Sequence, residues 1–163
     1  MKNVPDLQKL ESDYRALIDS QLTMLLATSS DNGDADISYA PYICLENVFY
    51  VYVSELAKHT SNMLLRRQAS VMFIQPEAEA ANPFARQRLV FNCRVAEVGK
   101  EESSYSRVLD AMHDRFGEMV GVLRALSDFH LLALAPLQGQ YVAGFGKAFG
   151  VDVGSGALLP CEK

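Results

Sequence analysis

The pattern of hydrophobic and polar positions predicts a chain built mainly from β-strands, with helices at a few points. Apolar residues at spacings of three and four predict helices, because that spacing places them on one face. Runs rich in β-branched and aromatic residues predict strands. The predicted helices cover residues 5–18, 54–67, 101–115 and 119–126. The predicted strands cover residues 21–29, 34–44, 48–53, 69–75, 86–98, 128–135 and 140–145, with a short last strand near 147–153.

Local signals refine several of these elements. Asn32-Gly33 favours a type I′ hairpin turn, which needs positive φ at both central residues. Pro41 removes a backbone donor, so its strand should lie at an edge or carry a bulge there. Ser54 is a candidate N-cap for the helix that follows it. The sequence predicts a loop or short helix over residues 76–83 and a turn over residues 136–139.

Within strand 86–98 the period of two predicts two faces. The apolar face holds Leu89, Phe91, Cys93 and Val95, and the opposite face holds Arg86, Arg88, Asn92 and Arg94.

Antiparallel strands joined by short turns, with inserted helices, indicate a small barrel with appended helices. We expect a single domain over residues 1–163. It divides into an N-terminal helix (1–20), a barrel core with an inserted helix (22–98), a helical insertion (101–127), closing strands (128–153) and a tail (154–163). The length of 163 residues and the hydrophobic content of 49% suffice for one core.

Composition narrows the function classes. The net charge of −5 argues against a general nucleic-acid binder, since phosphate neutralisation needs a basic surface. Cys44 and Cys93 are expected to be small buried hydrophobes, and no cysteine–histidine spacing favours zinc. No signal peptide or membrane span is indicated, so we expect a cytoplasmic protein without membrane or nucleic-acid partners.

Polar chemistry concentrates where strand 48–53 meets the next helix. Ser54, Lys58 and His59 lie near the predicted helix start, where free N–H groups and the helix dipole favour an anion. A phosphate or carboxylate is the expected ligand. The alternative is that Ser54 merely caps the helix and Lys58 is solvated.

The other two histidines, His130 and His113, are weaker functional candidates than His59. His130 and Asp128 are two apart on one strand and could form an acid–base or ligand–orienter pair. The alternative is that they form the polar side of a half-buried strand. His113 is expected to be a surface residue.

Three runs carry a family resemblance: SELAKHTSNMLLRRQASVMFIQ, FARQRLVFNCRVAEV and SDFHLLALAPLQGQYVAGFGKAF. They resemble the pyridoxamine-phosphate-oxidase-like, FMN-binding split-barrel superfamily, and within it the haem-utilisation branch of the HugZ and HutZ type. The similarity extends from about Leu22 to about Phe149. The resemblance implies an antiparallel split β-barrel that forms a two-fold dimer with sites at the subunit interface.

The resemblance also implies roles for individual residues. Lys58 and His59 stand where split-barrel flavoproteins grip the FMN phosphate, and Arg88 matches an arginine near the cofactor, with Arg86 as its neighbour. Asp128 matches an acidic residue on the haem-ligand side and is the catalytic candidate. The complete predicted cofactor set is Ser54, Lys58, His59, Asn62, Arg86 and Arg88.

Aromatic residues crowd the adjacent strands and occur on both faces of strand 48–53, so its outer face should also be covered. We therefore expect a homodimer built on barrel strands. The aromatic residues concerned are Tyr39, Tyr42, Phe49, Tyr50, Tyr52, Phe73 and Phe91.

The tail departs from the family. In the haem-degrading relatives a tail histidine ligates the iron, whereas here no histidine follows His130. Iron ligation would then come from His59, His130, Cys161 or water. We expect weak or non-canonical haem binding and slow or absent haem breakdown. Three functions stay open: a haem-binding protein, an FMN-dependent oxidoreductase, and a cofactor-free dimer that binds a small anion.

Overall fold

The computed structural model describes residues 6–161, which form four α-helices and one antiparallel sheet of nine strands. The helices are α1 (Leu7–Asp19), α2 (Lys58–Arg66), α3 (Ser103–Phe116) and α4 (Glu118–Arg124). The strands are β1 (Thr23–Ser29), β2 (Ala35–Pro41), β3 (Ile43–Leu45), β4 (Val48–Ser54), β5 (Gln68–Ile74), β6 (Arg88–Val98), β7 (Phe129–Gly144), β8 (Lys147–Val151) and β9 (Leu158–Pro160). Single 3₁₀ turns at Glu77–Glu79 and Pro83–Ala85 connect β5 to β6.

The sheet curls around one aromatic core. The strand order is β2-β1-β5-β6-β7-β4-β3, with β8 and β9 added beside β7. Phe49 on β4 and Phe73 on β5 are separated by two strands in this order, yet their rings lie 5.2 Å apart. Tyr42 packs against both rings, and all three side chains are almost fully buried. The predicted barrel-like antiparallel architecture is therefore confirmed.

Strand β7 corrects one prediction. A turn was expected at residues 136–139, but β7 runs unbroken for 16 residues from Phe129 to Gly144. The register against β6 shifts between Asn92 and Cys93, so Leu137 is the extra residue of a bulge beside Pro136. A bulge accommodates the missing N–H of a proline. At Gly139 a Cβ would lie 2.6 Å from Cε1 of Phe91, so glycine permits close packing here.

The short loops between β1 and β2 and between β3 and β4 differ in which residues have positive φ. The predicted Asn32-Gly33 hairpin exists, but the type I′ prediction is wrong because, of these two residues, only Gly33 has positive φ (84°). The N–H of Gly33 donates to the carbonyl of Ser30, which closes a three-residue loop with glycine in the left-handed position. The two-residue loop between β3 and β4 instead has positive φ at both Glu46 and Asn47.

The predicted strand 34–44 is divided by Pro41 and Tyr42. β2 ends at Pro41 and pairs in the sheet with β1 alone, which confirms the expected edge position. β3 is a separate strand of three residues on the opposite edge. Cys44 lies in this short strand and is exposed, so the prediction that it is buried is wrong. Cys93 is buried as predicted, and burial raises the pKa of its thiol to about 12.

The helical insertion covers the outer face of β4. Tyr50 and Tyr52 pack there against a second buried cluster formed by Ile43, Val98, Val108, Leu109, Met112, Val120 and Leu131. The expectation that this face is covered is confirmed, but α3 and α4 of the same chain supply the cover. Among the helices of the described residues, none is long and apolar enough to cross a membrane.

Candidate functional site

The junction between β4 and α2 differs from the predicted helix start. Ser54 is not the N-cap, because α2 begins at Lys58 with Ala57 as its N-cap. Ser54 is the last residue of β4 and pairs with Phe129 of β7. Its hydroxyl donates to Oδ2 of Asp128 (2.7 Å) and accepts from the N–H of Leu56 (3.1 Å). The predicted helix 54–67 therefore shortens to Lys58–Arg66, since strand pairing holds Ser54 in β4.

The start of α2 is open to an anion. Ala57 provides no side-chain cap, and within residues 6–161 no acceptor occurs for the backbone N–H groups of Lys58 and His59. The side chain of Lys58 is exposed at the same place. Unpaired N–H groups, the helix dipole and a cation together favour a carboxylate or phosphate.

His59 is half-buried between α2 and β2. Its Nδ1 lies 2.8 Å from the hydroxyl of Ser38. Burial lowers the pKa of His59, and the nearby carboxylate of Asp36 offsets only part of this effect. The ring is therefore neutral near pH 7. It offers an anion a hydrogen bond rather than a full charge.

Asn62 anchors α2 to the sheet. Its buried amide donates to Oγ1 of Thr28 on β1 (3.0 Å). Arg66 strengthens this anchoring by donating to the carbonyls of Ser30 and Asp31. The predicted contact of Asn62 with a cofactor stays a prediction, and the described bond gives this residue a structural role.

The two arginines of the predicted set differ in their surroundings. Arg86 precedes β6 and donates to the carbonyl of Gln75 through Nε (2.9 Å) and Nη2 (2.6 Å), while Nη1 lies 3.5 Å from Glu77. Arg88 is the first residue of β6 and its side chain is exposed. Within the described chain no ion pair involves Arg88, so its guanidinium is available to a ligand. The opposite face of β6 is buried as the alternation predicted.

Asp128 and His130 do not pair with each other. Asp128 accepts from Ser54, whereas the ring nitrogens of His130 meet two glutamates that sequence reasoning missed. Nδ1 lies 2.5 Å from Oε1 of Glu97, and Nε2 lies 2.8 Å from Oε1 of Glu55. Only the register of β6, β7 and β4 brings these residues together, so no spacing along the chain reveals them. His113 forms a surface contact with Glu118 (3.6 Å), as expected of a surface residue.

The described residues contain no group of three or more His, Cys, Asp or Glu side chains arranged to hold a metal ion. The fold and the site thus define an antiparallel split-barrel protein with a helical insertion and a helix start whose first N–H groups are unpaired in the described residues.

Comparison with known proteins agrees with this class. Residues 10–143 match the family described as pyridoxamine 5'-phosphate oxidase, and the chain belongs to that family.

The relatives include haem-utilisation proteins. The chain is 36% identical over 144 residues to the haem oxygenase HutZ of Vibrio cholerae serotype O1 (strain ATCC 39315 / El Tor Inaba N16961), covering 88% of this chain and 82% of that protein. A crystal structure of HutZ from Vibrio cholerae, described there as a haem storage protein, matches with a TM-score of 0.77 and 33% identity. It covers 83% of this chain and 94% of that one.

Campylobacter jejuni ChuZ matches with a TM-score of 0.86 and 27% identity. That match covers 97% of this chain and 64% of ChuZ, so the chain spans less than two thirds of ChuZ. The predicted resemblance to the haem-utilisation branch is confirmed.

The surroundings of His59 generate a pH prediction. Because its folded pKa lies below the unfolded value of about 6.5, protonation of His59 opposes folding. Its contribution to the free energy of unfolding should be complete above pH 6.5 and be lost as the pH falls toward the folded pKa. Asp36→Asn should lower the NMR titration midpoint of His59 further, and Asp34→Asn serves as the matched control. A wild-type midpoint at or above 6.5 would contradict this assignment.

Proposed function

We propose that this protein binds haem at the start of α2, within a homodimer. The observation that carries the proposal is the 36% identity to the haem oxygenase HutZ over 144 residues. The family match over residues 10–143 contains α2 and all but the last residue of β7. FMN is the alternative ligand and is supported by membership of the family alone. A Soret band, a flavin double peak or neither in the visible spectrum separates haem, flavin and a cofactor-free anion binder.

The donor set fits the two carboxylates of haem. Lys58, Arg88 and the free N–H groups at the start of α2 are charge-assisted donors for a propionate. The neutral ring of His59 adds a hydrogen-bonding group beside them. We assign these residues to the propionates, while the guanidinium of Arg86 is engaged with the carbonyl of Gln75 between β5 and β6.

Asp128 is the candidate on the iron side. Its Oδ2 is held by Ser54, which fixes the carboxylate just before the start of β7. Bound haem would supply iron chemistry, and the role we assign to Asp128 is to accept a hydrogen bond through its remaining oxygen. Ser54 acts here as the residue that orients Asp128.

The candidate iron ligands differ in availability. Both ring nitrogens of His130 face carboxylates, so ligation by His130 would break one of these contacts. His59 has one nitrogen at Ser38 and the other without a partner in the described chain. Cys161 is an exposed free thiol that follows β9. This set favours weak or non-canonical ligation, and storage or transport of haem over its rapid breakdown.

The homodimer proposal now rests on β2 rather than β4. Ile37 and Tyr39 are 74% and 64% exposed, on the face of β2 opposite Ser38, the residue that contacts His59. A partner covering this edge strand would remove these two apolar side chains from water. We expect sedimentation of a dimer at micromolar concentration. A monomer there would contradict the proposal.

Removing the two proposed propionate contacts should weaken haem binding. Lys58→Ala combined with Arg88→Ala is expected to cost about 2–4 kcal/mol if both contacts are direct, which is roughly 30- to 1,000-fold in Kd. The matched control is Lys9→Ala with Lys100→Ala, which removes two exposed charges elsewhere. Unchanged haem affinity in the first double variant, measured by calorimetry, would reject the site. Both double variants should stay folded, since all four side chains are exposed.

Iron ligation can be read from the ferric spectrum during haem titration. His59→Ala and His130→Ala should each leave the spectrum unchanged, because His59 is assigned to a propionate and both ring nitrogens of His130 are engaged. A tight one-to-one complex with a histidine-ligated spectrum that survives both substitutions would contradict this ligand set. Conversion of haem to biliverdin on addition of a reductant would show the oxygenase activity that we expect to be slow or absent.

A further inference from the structure

Three ionisable side chains meet at one end of the sheet, where β6, β7 and β4 lie side by side. His130 is on β7, Glu97 is on β6, and Glu55 directly follows β4. Each ring nitrogen of His130 faces a different carboxylate, at 2.5 Å for Glu97 and 2.8 Å for Glu55. The imidazole is thus held between two acids from separate elements.

This arrangement stabilises the protonated form of the His130 ring. A neutral imidazole has one N–H, so one of its nitrogens would set a lone pair against a carboxylate oxygen. The imidazolium has two N–H groups and satisfies both acids with charge-assisted hydrogen bonds. The pKa of His130 is accordingly raised, mainly by Glu97 and then by Glu55. On its own strand, Asp128 is directed to Ser54 instead.

The contact with Glu55 bears on the candidate site because Glu55 opens the turn that leads into α2. Two other contacts also tie this turn to β7: the N–H of Glu55 donates to the carbonyl of Asp128 (2.8 Å), and Ser54 donates to its carboxylate. Of these three contacts, only the one between Glu55 and His130 depends on a group that titrates near neutral pH. Glu55 is 59% exposed and lies in a turn, whereas Glu97 is 40% exposed and fixed in β6.

We propose that Glu55, His130 and Glu97 form a pH-sensitive clasp that positions the turn before α2, and with it Lys58 and His59. His130 is a positioning residue in this clasp. When its ring loses a proton, Glu55 is the partner released, because it is the less constrained of the two acids. The consequence for ligand binding rests on the proposed function of the α2 start.

The direction of the pH dependence follows from the raised pKa. The stabilising effect of the clasp is complete below the unfolded histidine pKa of about 6.5 and is lost as the pH rises through the folded pKa. His59 titrates in a different window, because its pKa is lowered below the same reference value. Changes at the α2 start above pH 6.5 therefore report on His130.

The clasp can be tested without any ligand by NMR between pH 6 and pH 9, with the His130 resonances assigned by their loss in His130→Gln. We expect a His130 midpoint above about 6.5, and backbone amides of Ala57 and Lys58 that shift with the same midpoint. Glu97→Gln should lower the midpoint more than Glu55→Gln, while keeping the amides coupled to His130. Glu55→Ala should abolish that coupling. A wild-type midpoint at or below 6.5, or amides that do not follow it, would overturn the clasp.

A second measurement connects the clasp to the site. Haem affinity of the wild-type protein should fall several-fold more between pH 6.5 and pH 9 than that of His130→Gln. An equal pH dependence in both proteins would overturn control of the site by the clasp. Absence of haem binding at every pH would instead refute the proposed function, and the NMR titration would still decide the clasp. Near-UV circular dichroism checks that His130→Gln is folded. Glu97→Gln, which should lower the titration midpoint of His130, provides an independent variant.

Discussion

The pairing of β7 with three other strands shapes the sheet and positions the candidate site. β7 pairs with β6 from Leu131 to Val142, with β4 through its first half and with β8 through its second half. Because one strand edge can hold only one neighbour over a given stretch, β4 and β8 must share the edge opposite β6. The change of neighbour coincides with the bulge at Leu137 and Pro136. This exchange lets one sheet curl around the core of Tyr42, Phe49 and Phe73.

The same pairing builds the candidate site. It brings the end of β4, the start of β7 and the end of β6 to one place, so Ser54 reaches Asp128 and His130 reaches both Glu55 and Glu97. The chain leaves β4 at Ser54 through a turn tied to Asp128 and β7, and α2 begins after three intervening residues. Asn62 and Arg66 then fix the helix to β1 and the β1–β2 loop. The helix start is consequently open to ligand while the rest of α2 is anchored.

Charge separates the two halves of this region. Lys58 stands with the free N–H groups of α2, whereas Glu55 and Glu97 surround His130. The acids are partly neutralised by the imidazolium, which reduces their repulsion of an anion held at the nearby helix start. A chain of net charge −5 thus carries an exposed lysine and unpaired N–H groups at one helix start, where we propose that an anionic group binds. In the described residues every buried side-chain nitrogen and oxygen has a hydrogen-bond partner.

The sequence by itself determined the local elements and the family. Period-two alternation predicted the buried face of β6, and helical spacing predicted all four helices, because both patterns record which side of an element meets the core. Local signals failed where a distant partner decided the outcome. Pro136 and Gly139 are typical turn residues, yet pairing with β6 and the ring of Phe91 place them inside a strand. Ser54 is a good N-cap, but Phe129 holds it in β4. Glu55, Glu97 and His130 are far apart along the chain, and only the tertiary register, which sets cross-strand neighbours, brings them within hydrogen-bonding distance.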